Sequence, residues 1–152
     1  MKKYFVIGNP INHSLSPRIH NFWIKKNNIN AIYEKKKLSD DDLENLILKI
    51  KKKEIDGINV TVPFKKKIIP YLENLTDEAK LTESVNTIFL DNYKITGHNT
   101  DIYGFINAFK SVNYDILDKR ILILGAGGVV SSIIFALKKL KAKEIIISNR
   151  TY

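Results

Sequence analysis

A turn-rich segment directly after a short apolar run constrains the fold of this chain most. Residues 4–7 are apolar and predict a strand, which Gly8, Asn9 and Pro10 bring to an end. Ser16 and Pro17 then predict the start of a helix, with Ser16 as its N-cap and Pro17 as its first residue. A strand, a turn and a helix in this order indicate an α/β unit at the N-terminus.

Two serines stand where this first helix is expected to begin. The free N–H groups and the positive end of the helix dipole favour an anion at such a position. Ser14 and Ser16 therefore predict a site that holds a carboxylate or a phosphate. The alternative is that Ser16 only caps its helix and Ser14 only lines a loop, and this segment leaves both interpretations open.

Strand and helix patterns alternate along the rest of the chain, which predicts an α/β fold with mainly parallel sheets. Ser39 is expected to cap a helix whose apolar positions follow helical spacing. A two-residue turn at Asp91 and Asn92 predicts a hairpin. The predicted strands are 31–38, 57–62, 86–90, 93–96, 120–124 and 144–148, and the later predicted helices are 65–72, 101–110 and 127–141.

Composition excludes several classes of protein. The chain has no cysteine, so it has neither disulfides nor thiolate metal sites. No apolar run approaches the roughly 20 residues that span a bilayer, so we expect a cytoplasmic protein without a membrane partner. The net charge of +9 rests almost entirely on lysine and is not interleaved with aromatic residues, so we expect a solvated basic face and no nucleic-acid partner.

A glycine-rich turn follows the predicted strand 120–124. Gly125 suits the tight turn of a dinucleotide-binding unit, and Gly127 lets the backbone approach a pyrophosphate. Val130 stands where the usual pattern has its third small residue. The alternative is a glycine-rich turn that binds no ligand.

The end of the predicted strand 144–148 bears on the choice of cofactor. NAD-binding units carry an acid near this position for the ribose 2′-hydroxyl, whereas this chain offers Asn149, Arg150 and Thr151. An amide, a guanidinium and a hydroxyl suit a 2′-phosphate, which favours NADP. The alternative is that Arg150 is simply solvated.

Polar residues also follow two other strands. Asn59 and Thr61 alternate with apolar residues and precede Lys65, a cation that is unfavourable at a helix start. Asp101 begins the helix after the hairpin, where it is either a plain first-turn acid or a site residue. His98 is expected to be a surface or packing residue, and the histidine spacing predicts no metal site.

Taken together, these motifs resemble the shikimate dehydrogenase family over nearly the whole chain. The family reduces 3-dehydroshikimate to shikimate with NADPH on the route to chorismate and the aromatic amino acids. The matching segments are GNPINHSLSPRIHN at 8–21, NVTVPFK at 59–65, SVNT at 84–87, GHNTD at 97–101 with Gly104, LGAGG at 124–128 and SNRT at 148–151.

The resemblance implies a role for each matching residue. Lys65 and Asp101 would be the catalytic pair, and Ser14 and Ser16 would hold the carboxylate of shikimate or 3-dehydroshikimate. The remaining substrate-binding residues would be Asn59, Thr61 and Asn86, together with Lys65 and Asp101. The implied NADP-binding residues are Gly125, Ala126, Gly127, Gly128, Val129, Asn149, Arg150 and Thr151.

The resemblance also implies a division of the chain. Residues 1–100 would form the substrate-binding catalytic domain, residues 101–118 a connecting helix and linker, and residues 119–152 the first βαβ part of a Rossmann-type domain. The family usually has an acid at the position of His98. The chain also ends inside the expected NADP-binding domain, so the activity of this chain by itself stays open.

Two rival functions remain beside the dehydrogenase. One is a catalytically silent fragment that binds shikimate, and the other is a quinate/shikimate dehydrogenase that uses NAD, against which Arg150 argues. A homodimer is compatible with the resemblance.

Overall fold

The computed structural model describes residues 1–150, and these form eight strands and six helices. The strands are β1 (Lys2–Gly8), β2 (Ala31–Lys37), β3 (Gly57–Val60), β4 (Asn74–Leu75), β5 (Thr87–Asp91), β6 (Lys94–His98), β7 (Arg120–Leu124) and β8 (Glu144–Ser148). The helices are α1 (Ser16–Lys26), α2 (Leu43–Lys51), α3 (Phe64–Lys67), α4 (Asp77–Thr82), α5 (Asp101–Ser111) and α6 (Val130–Lys139).

The strands form two sheets. Six of them pair in the order β2-β1-β3-β5-β6-β4, and β7 pairs with β8 in parallel. In the larger sheet β1 runs parallel to β2 and β3, and β4 runs parallel to β6, whereas β5 runs antiparallel to both of its neighbours. The prediction of an α/β fold with mainly parallel strands is confirmed, with β5 and β6 as the predicted hairpin.

The main hydrophobic core lies between the larger sheet and α2. Ile7, Ile58 and Ile88 bring side chains from three strands to this core. The apolar residues at helical spacing in α2 are all buried, namely Leu43, Leu46, Ile47 and Ile50. Burying one such side chain contributes about 1.5–3 kcal/mol. Ser39 caps the 3₁₀ turn that leads into α2, as predicted. Its N–H and its hydroxyl both donate to Asp42 Oδ2.

Helix α1 lies beside β2, the edge strand of the larger sheet. Asn21 of α1 binds the edge backbone twice, since its Nδ2 donates to the carbonyl of Tyr33 at 2.7 Å and its Oδ1 accepts from the N–H of Tyr33 at 3.0 Å. The side chain of Tyr33 packs with Val6 and Ile11 in a smaller second core. One amide side chain thus fixes helix α1 against the sheet.

The start of α1 differs from the prediction. Ser16 is the first helical residue rather than the N-cap, and Leu15 takes the cap position with helical backbone angles. The hydroxyl of Ser14 accepts from the N–H of Ser16 at 3.3 Å, so the preceding serine satisfies this first N–H.

Other boundaries also shift for identifiable reasons. The hairpin turn lies at Asn92 and Tyr93, one residue later than predicted, because both of these residues adopt the positive φ that this kind of turn needs. Helix α6 begins at Val130 instead of residue 127, since the glycines remain in the turn. The helix predicted at 65–72 is α3 followed by a 3₁₀ turn that contains Pro70, which has no N–H to continue the helix.

Strand β3 ends at Val60 rather than at residue 62, because the carbonyl of Thr61 accepts from Phe64 N in a turn. Strand β4 was not predicted, since two residues are too few to show a periodic pattern. Within residues 1–150, no helix combines the length and the apolar character that crossing a bilayer requires.

Replacing Gly8 by alanine is expected to lower the free energy of unfolding by about 1–3 kcal/mol. A Cβ at this position would lie 2.7 Å from Thr61 Cγ2, 2.9 Å from Ile11 Cδ1 and 3.1 Å from the carbonyl oxygen of Val62. Urea denaturation measures the loss. Gly104→Ala in α5 is the matched control, because its Cβ meets nothing within 4 Å. Equal stability of the two variants would contradict the crowding at Gly8.

Candidate functional site

The ends of several strands meet at one edge of the larger sheet. Strands β1, β3 and β6 end there, and β5 begins there because it runs antiparallel to its neighbours. Residues that follow the first three strands therefore lie near Asn86, which directly precedes β5. Ligands of open α/β sheets bind at the carboxyl ends of strands, so this edge is the candidate site.

An ion pair joins two helix starts at this edge. Lys65 Nζ of α3 lies 2.7 Å from Asp101 Oδ2, and the two side chains are 17% and 25% exposed. Asp101 is the first residue of α5, where the helix dipole favours its negative charge. The backbone N–H of Asp101 also donates to Asn99 Oδ1 at 2.9 Å. The sequence separates Lys65 from Asp101 by 36 positions, and the fold brings them together.

Asn86 holds the other oxygen of the same carboxylate. Its Nδ2 donates to Asp101 Oδ1 at 2.8 Å and to Thr100 Oγ1 at 2.9 Å, and its Oδ1 accepts from the N–H of Thr100 at 3.0 Å. Asp101 therefore has a donor on each carboxylate oxygen, Lys65 on one side and Asn86 on the other. This arrangement fixes the plane of the carboxylate.

Asn59 is hydrogen-bonded to Asn86 and to its neighbour Thr87. Its Nδ2 donates to Thr87 Oγ1 at 3.1 Å and to the carbonyl of Asn86 at 3.2 Å. Its Oδ1 accepts from the hydroxyl of Tyr33 at 2.6 Å. Both N–H bonds of Asn59 are thus used inside the protein, which makes its side chain a support for Asn86 more than a ligand donor.

Tyr33 was not predicted from the sequence as a site residue. Its ring is 4% exposed and stacks on His20 with ring centroids 4.1 Å apart. Burial raises the pKa of the Tyr33 phenol, and a hydrogen bond from the Ser16 side chain opposes part of that rise. Burial also lowers the pKa of His20. No local spacing could have found Tyr33, because its partner Asn59 is 26 positions away.

The two serines follow β1 and Thr61 follows β3, at the same edge of the sheet. Ser14, Ser16 and Thr61 are partly exposed. The contact of Ser16 with the Tyr33 phenol brings the start of α1 next to Asn59. The backbone N–H of Thr61 donates to Ile7 O at 2.9 Å, so the end of β1 and the turn after β3 are joined.

His98 lies to one side of the ion pair. Its Nδ1 is 2.8 Å from Thr76 Oγ1, the residue that caps α4, and 4.0 Å from Glu78 Oε2. These contacts are those of a packing histidine. In the part of the chain that the structure describes, no three acidic or histidine side chains converge as a metal site requires.

The glycine turn lies between β7 and α6. Gly125 has φ of +102°, a conformation that L side chains rarely adopt, and its N–H donates to Ser148 O at 2.7 Å. A Cβ built at Gly127 or Gly128 would meet nothing within 4 Å, so the space over the turn is open. A backbone turn with open space before a helix fits a pyrophosphate. Ala126 and Val129 belong to the same turn.

The residues proposed for the 2′-phosphate follow β8. Asn149 and Arg150 are exposed at the end of this strand, beside the glycine turn that bonds Ser148. Thr151 lies outside the described residues.

A buried contact joins the helix of the glycine turn to the ion pair. Asn99 Nδ2 donates to Ser132 Oγ of α6 at 2.9 Å, and both residues are buried. The Oδ1 of the same Asn99 accepts the N–H of Asp101. Helix α6 is therefore connected to Asp101 through one side chain.

Comparison with known proteins finds a matching family and similar relatives. A family model described as the shikimate dehydrogenase substrate binding domain matches residues 6–88. A shikimate dehydrogenase (NADP(+)) of Pelagibacter ubique is 57% identical over 152 residues, which are 99% of this chain and 57% of that relative.

Two solved structures share the fold. The shikimate 5-dehydrogenase of Listeria monocytogenes, in complex with shikimate and NAD, has a TM-score of 0.92 at 34% identity. The match covers 100% of this chain and 53% of the Listeria chain. The shikimate 5-dehydrogenase of Thermus thermophilus, in complex with NADP(H) and shikimate, has a TM-score of 0.90 at 30% identity. The match covers 99% of this chain and 57% of the Thermus chain. This chain spans little more than half the length of these relatives.

Proposed function

Because this chain belongs to the shikimate dehydrogenase family, we propose that it serves the NADPH-dependent reduction of 3-dehydroshikimate to shikimate. Residues 1–100 would supply the substrate site, residues 101–118 would form the connecting helix and linker, and the segment from residue 119 would contribute the pyrophosphate turn. The observation that carries the proposal is the partly buried ion pair of Lys65 and Asp101 at the ligand-binding edge of the sheet.

The chemistry of this pair suits carbonyl reduction. NADPH bound at this site would supply a hydride to the carbonyl carbon, so that negative charge would develop on the carbonyl oxygen. Lys65 Nζ–H donates a proton to that oxygen and stabilises its developing charge. Asp101 orients the ammonium, and Asn86 keeps the carboxylate in place from its other side. Lys65 then regains its proton from solvent.

The substrate would lie across the same edge. Ser14 and Ser16 would hold its carboxylate at the start of α1, where the helix dipole adds to the attraction. Thr61, Asn86 and Asp101 would bind its hydroxyls, with Asn59 fixing Asn86 from behind. The Listeria and Thermus structures both contain shikimate, which supports this class of ligand.

The pyrophosphate of NADP would lie on the turn from Gly125 to Val129, with the 2′-phosphate near Arg150. The open space over Gly127 and Gly128 supports this placement. The relatives differ in their bound cofactor, NAD in the Listeria structure and NADP(H) in the Thermus structure. Arg150→Ala should therefore weaken NADP binding and leave NAD binding unchanged, as measured by fluorescence titration of both cofactors.

Removing both serine hydroxyls is expected to weaken shikimate binding about 5- to 150-fold, since charge-assisted hydrogen bonds contribute about 1–3 kcal/mol. Isothermal titration calorimetry compares the chain with its Ser14→Ala/Ser16→Ala variant. Ser111→Ala is the matched control, because its hydroxyl donates to Ala108 O at the far end of α5. Equal affinity of the double variant and the unsubstituted chain would refute the carboxylate site.

A further inference from the structure

The phenol of Tyr33 is a buried polar group for which the proposed reaction has no role. It belongs to β2, and its side chain is almost inaccessible to solvent. Its oxygen nevertheless lies between two candidate site residues, Ser16 and Asn59. A buried donor of this kind has a defined partner, and here that partner is Asn59 Oδ1 at 2.6 Å.

This hydrogen bond is the first of four whose donor and acceptor directions agree. Asn59 Oδ1 accepts from Tyr33, and its Nδ2 donates to Thr87 Oγ1 and to the carbonyl of Asn86. Thr87 Oγ1, having accepted, donates its own proton to Asn86 Oδ1 at 3.0 Å. Asn86 Nδ2, on the other side of this amide, donates to Asp101 Oδ1. We call Tyr33, Asn59, Thr87 and Asn86 the phenol relay.

We propose that Tyr33 is a positioning residue, whose hydroxyl anchors Asn59 and thereby supports Asn86 where it donates to Asp101. The relay runs from Tyr33, beside the Ser16 side chain, to Asn86, which donates to Asp101. The ligand in this proposal rests on the proposed function, whereas the hydrogen-bond directions rest on the geometry alone.

A second donor limits the size of the effect. The N–H and the hydroxyl of Thr100 also donate to Asn86 Oδ1, so Asn86 keeps these anchors when the relay is interrupted. Loss of the Tyr33 hydroxyl removes one anchor of Asn59 and so loosens the support that Asn59 and Thr87 give to Asn86. We therefore expect a three- to tenfold loss of shikimate affinity and not its abolition, about the effect of one net hydrogen bond.

Tyr33→Phe tests the relay directly, since it keeps the ring stacked on His20 and removes one O–H. Tyr4→Phe is the matched control, because Tyr4 is the register partner of Tyr33 on β1 and takes no part in the relay. Two-dimensional ¹H–¹⁵N spectra should show the Asn86 side-chain amide signals moving in Tyr33→Phe and staying in place in Tyr4→Phe.

Two ligands separate positioning from a general structural role. Shikimate carries a carboxylate and ring hydroxyls, whereas cyclohex-1-ene-1-carboxylate carries only the carboxylate. NMR titration of Tyr33→Phe should show the three- to tenfold loss for shikimate and a change within twofold for the hydroxyl-free acid. Equal losses for both acids would overturn the proposal, and so would an unchanged shikimate affinity.

Thr87→Val interrupts the relay at its middle and provides an additivity test. The Tyr33→Phe/Thr87→Val variant should bind shikimate no more weakly than the weaker single variant, because both changes break one pathway. If the losses of shikimate affinity in the two single variants multiply in the double variant, the relay is contradicted. If the unsubstituted chain binds no shikimate, the proposed function fails, and the Asn86 amide signals then decide the relay by themselves.

Discussion

Replacing Lys65 by alanine is expected to lower kcat for 3-dehydroshikimate reduction about 10²- to 10⁴-fold, while KM changes only severalfold. The ammonium matters most when charge develops on the carbonyl oxygen, so its loss acts on the transition state more than on the bound substrate. The assay follows NADPH absorbance in a fusion of this chain to the remaining part of the Pelagibacter ubique relative, because the chain covers 57% of that protein.

Two further variants test whether the effect is specific to Lys65 and whether it depends on positive charge alone. Lys66→Ala removes the neighbouring exposed lysine of α3 and should leave kcat unchanged. Lys65→Arg keeps a positive charge that hardly loses its proton, so partial recovery would indicate electrostatic stabilisation and no recovery would indicate proton donation or strict geometry. A rise in KM with an unchanged kcat would make Lys65 a binding residue and refute its role in the reaction.

Replacing Phe64 by alanine is expected to lower the free energy of unfolding by about 3–5 kcal/mol, a large part of the stability of an ordinary domain. Phe64 is 1% exposed and belongs to the main core, directly before Lys65 at the start of α3. The truncation leaves a cavity beneath the helix that carries Lys65. Urea denaturation followed by circular dichroism measures the loss.

Val62→Ala provides the comparison for this measurement. Val62 lies two positions before Phe64 and is 60% exposed, so its truncation should change stability by no more than about 0.5 kcal/mol. A loss below about 1 kcal/mol in Phe64→Ala would show that the core collapses around the cavity and that Phe64 does not anchor α3.

Local patterns predicted those features that neighbouring residues determine. The spacing of Leu43, Leu46, Ile47 and Ile50 predicted the buried face of α2, because helical periodicity repeats within a few residues. The glycine turn before α6 was recognisable for the same reason, since Gly125 needs a backbone conformation that other residues avoid. The motif resemblance predicted that Lys65 and Asp101 form a pair, and Lys65 Nζ lies 2.7 Å from Asp101 Oδ2.

Features that depend on distant residues escaped sequence reasoning. The bond of Tyr33 to Asn59 joins two strands that are separated in the chain by a helix and a turn. The link from Asn99 to Ser132 spans 33 positions, and no local spacing pairs these two residues. The length of β4 depends on its pairing with β6, a tertiary contact with no local signal.

The double hydrogen bond from Asn21 to the backbone of Tyr33 has a consequence for solubility. A free edge strand is a template on which another chain can add a strand and start aggregation. Asn21 occupies the donor and the acceptor that such an incoming strand would need at the middle of β2. Lys35, Lys36 and Lys37 add repulsion along the same edge, so the sheet resists lateral growth between molecules.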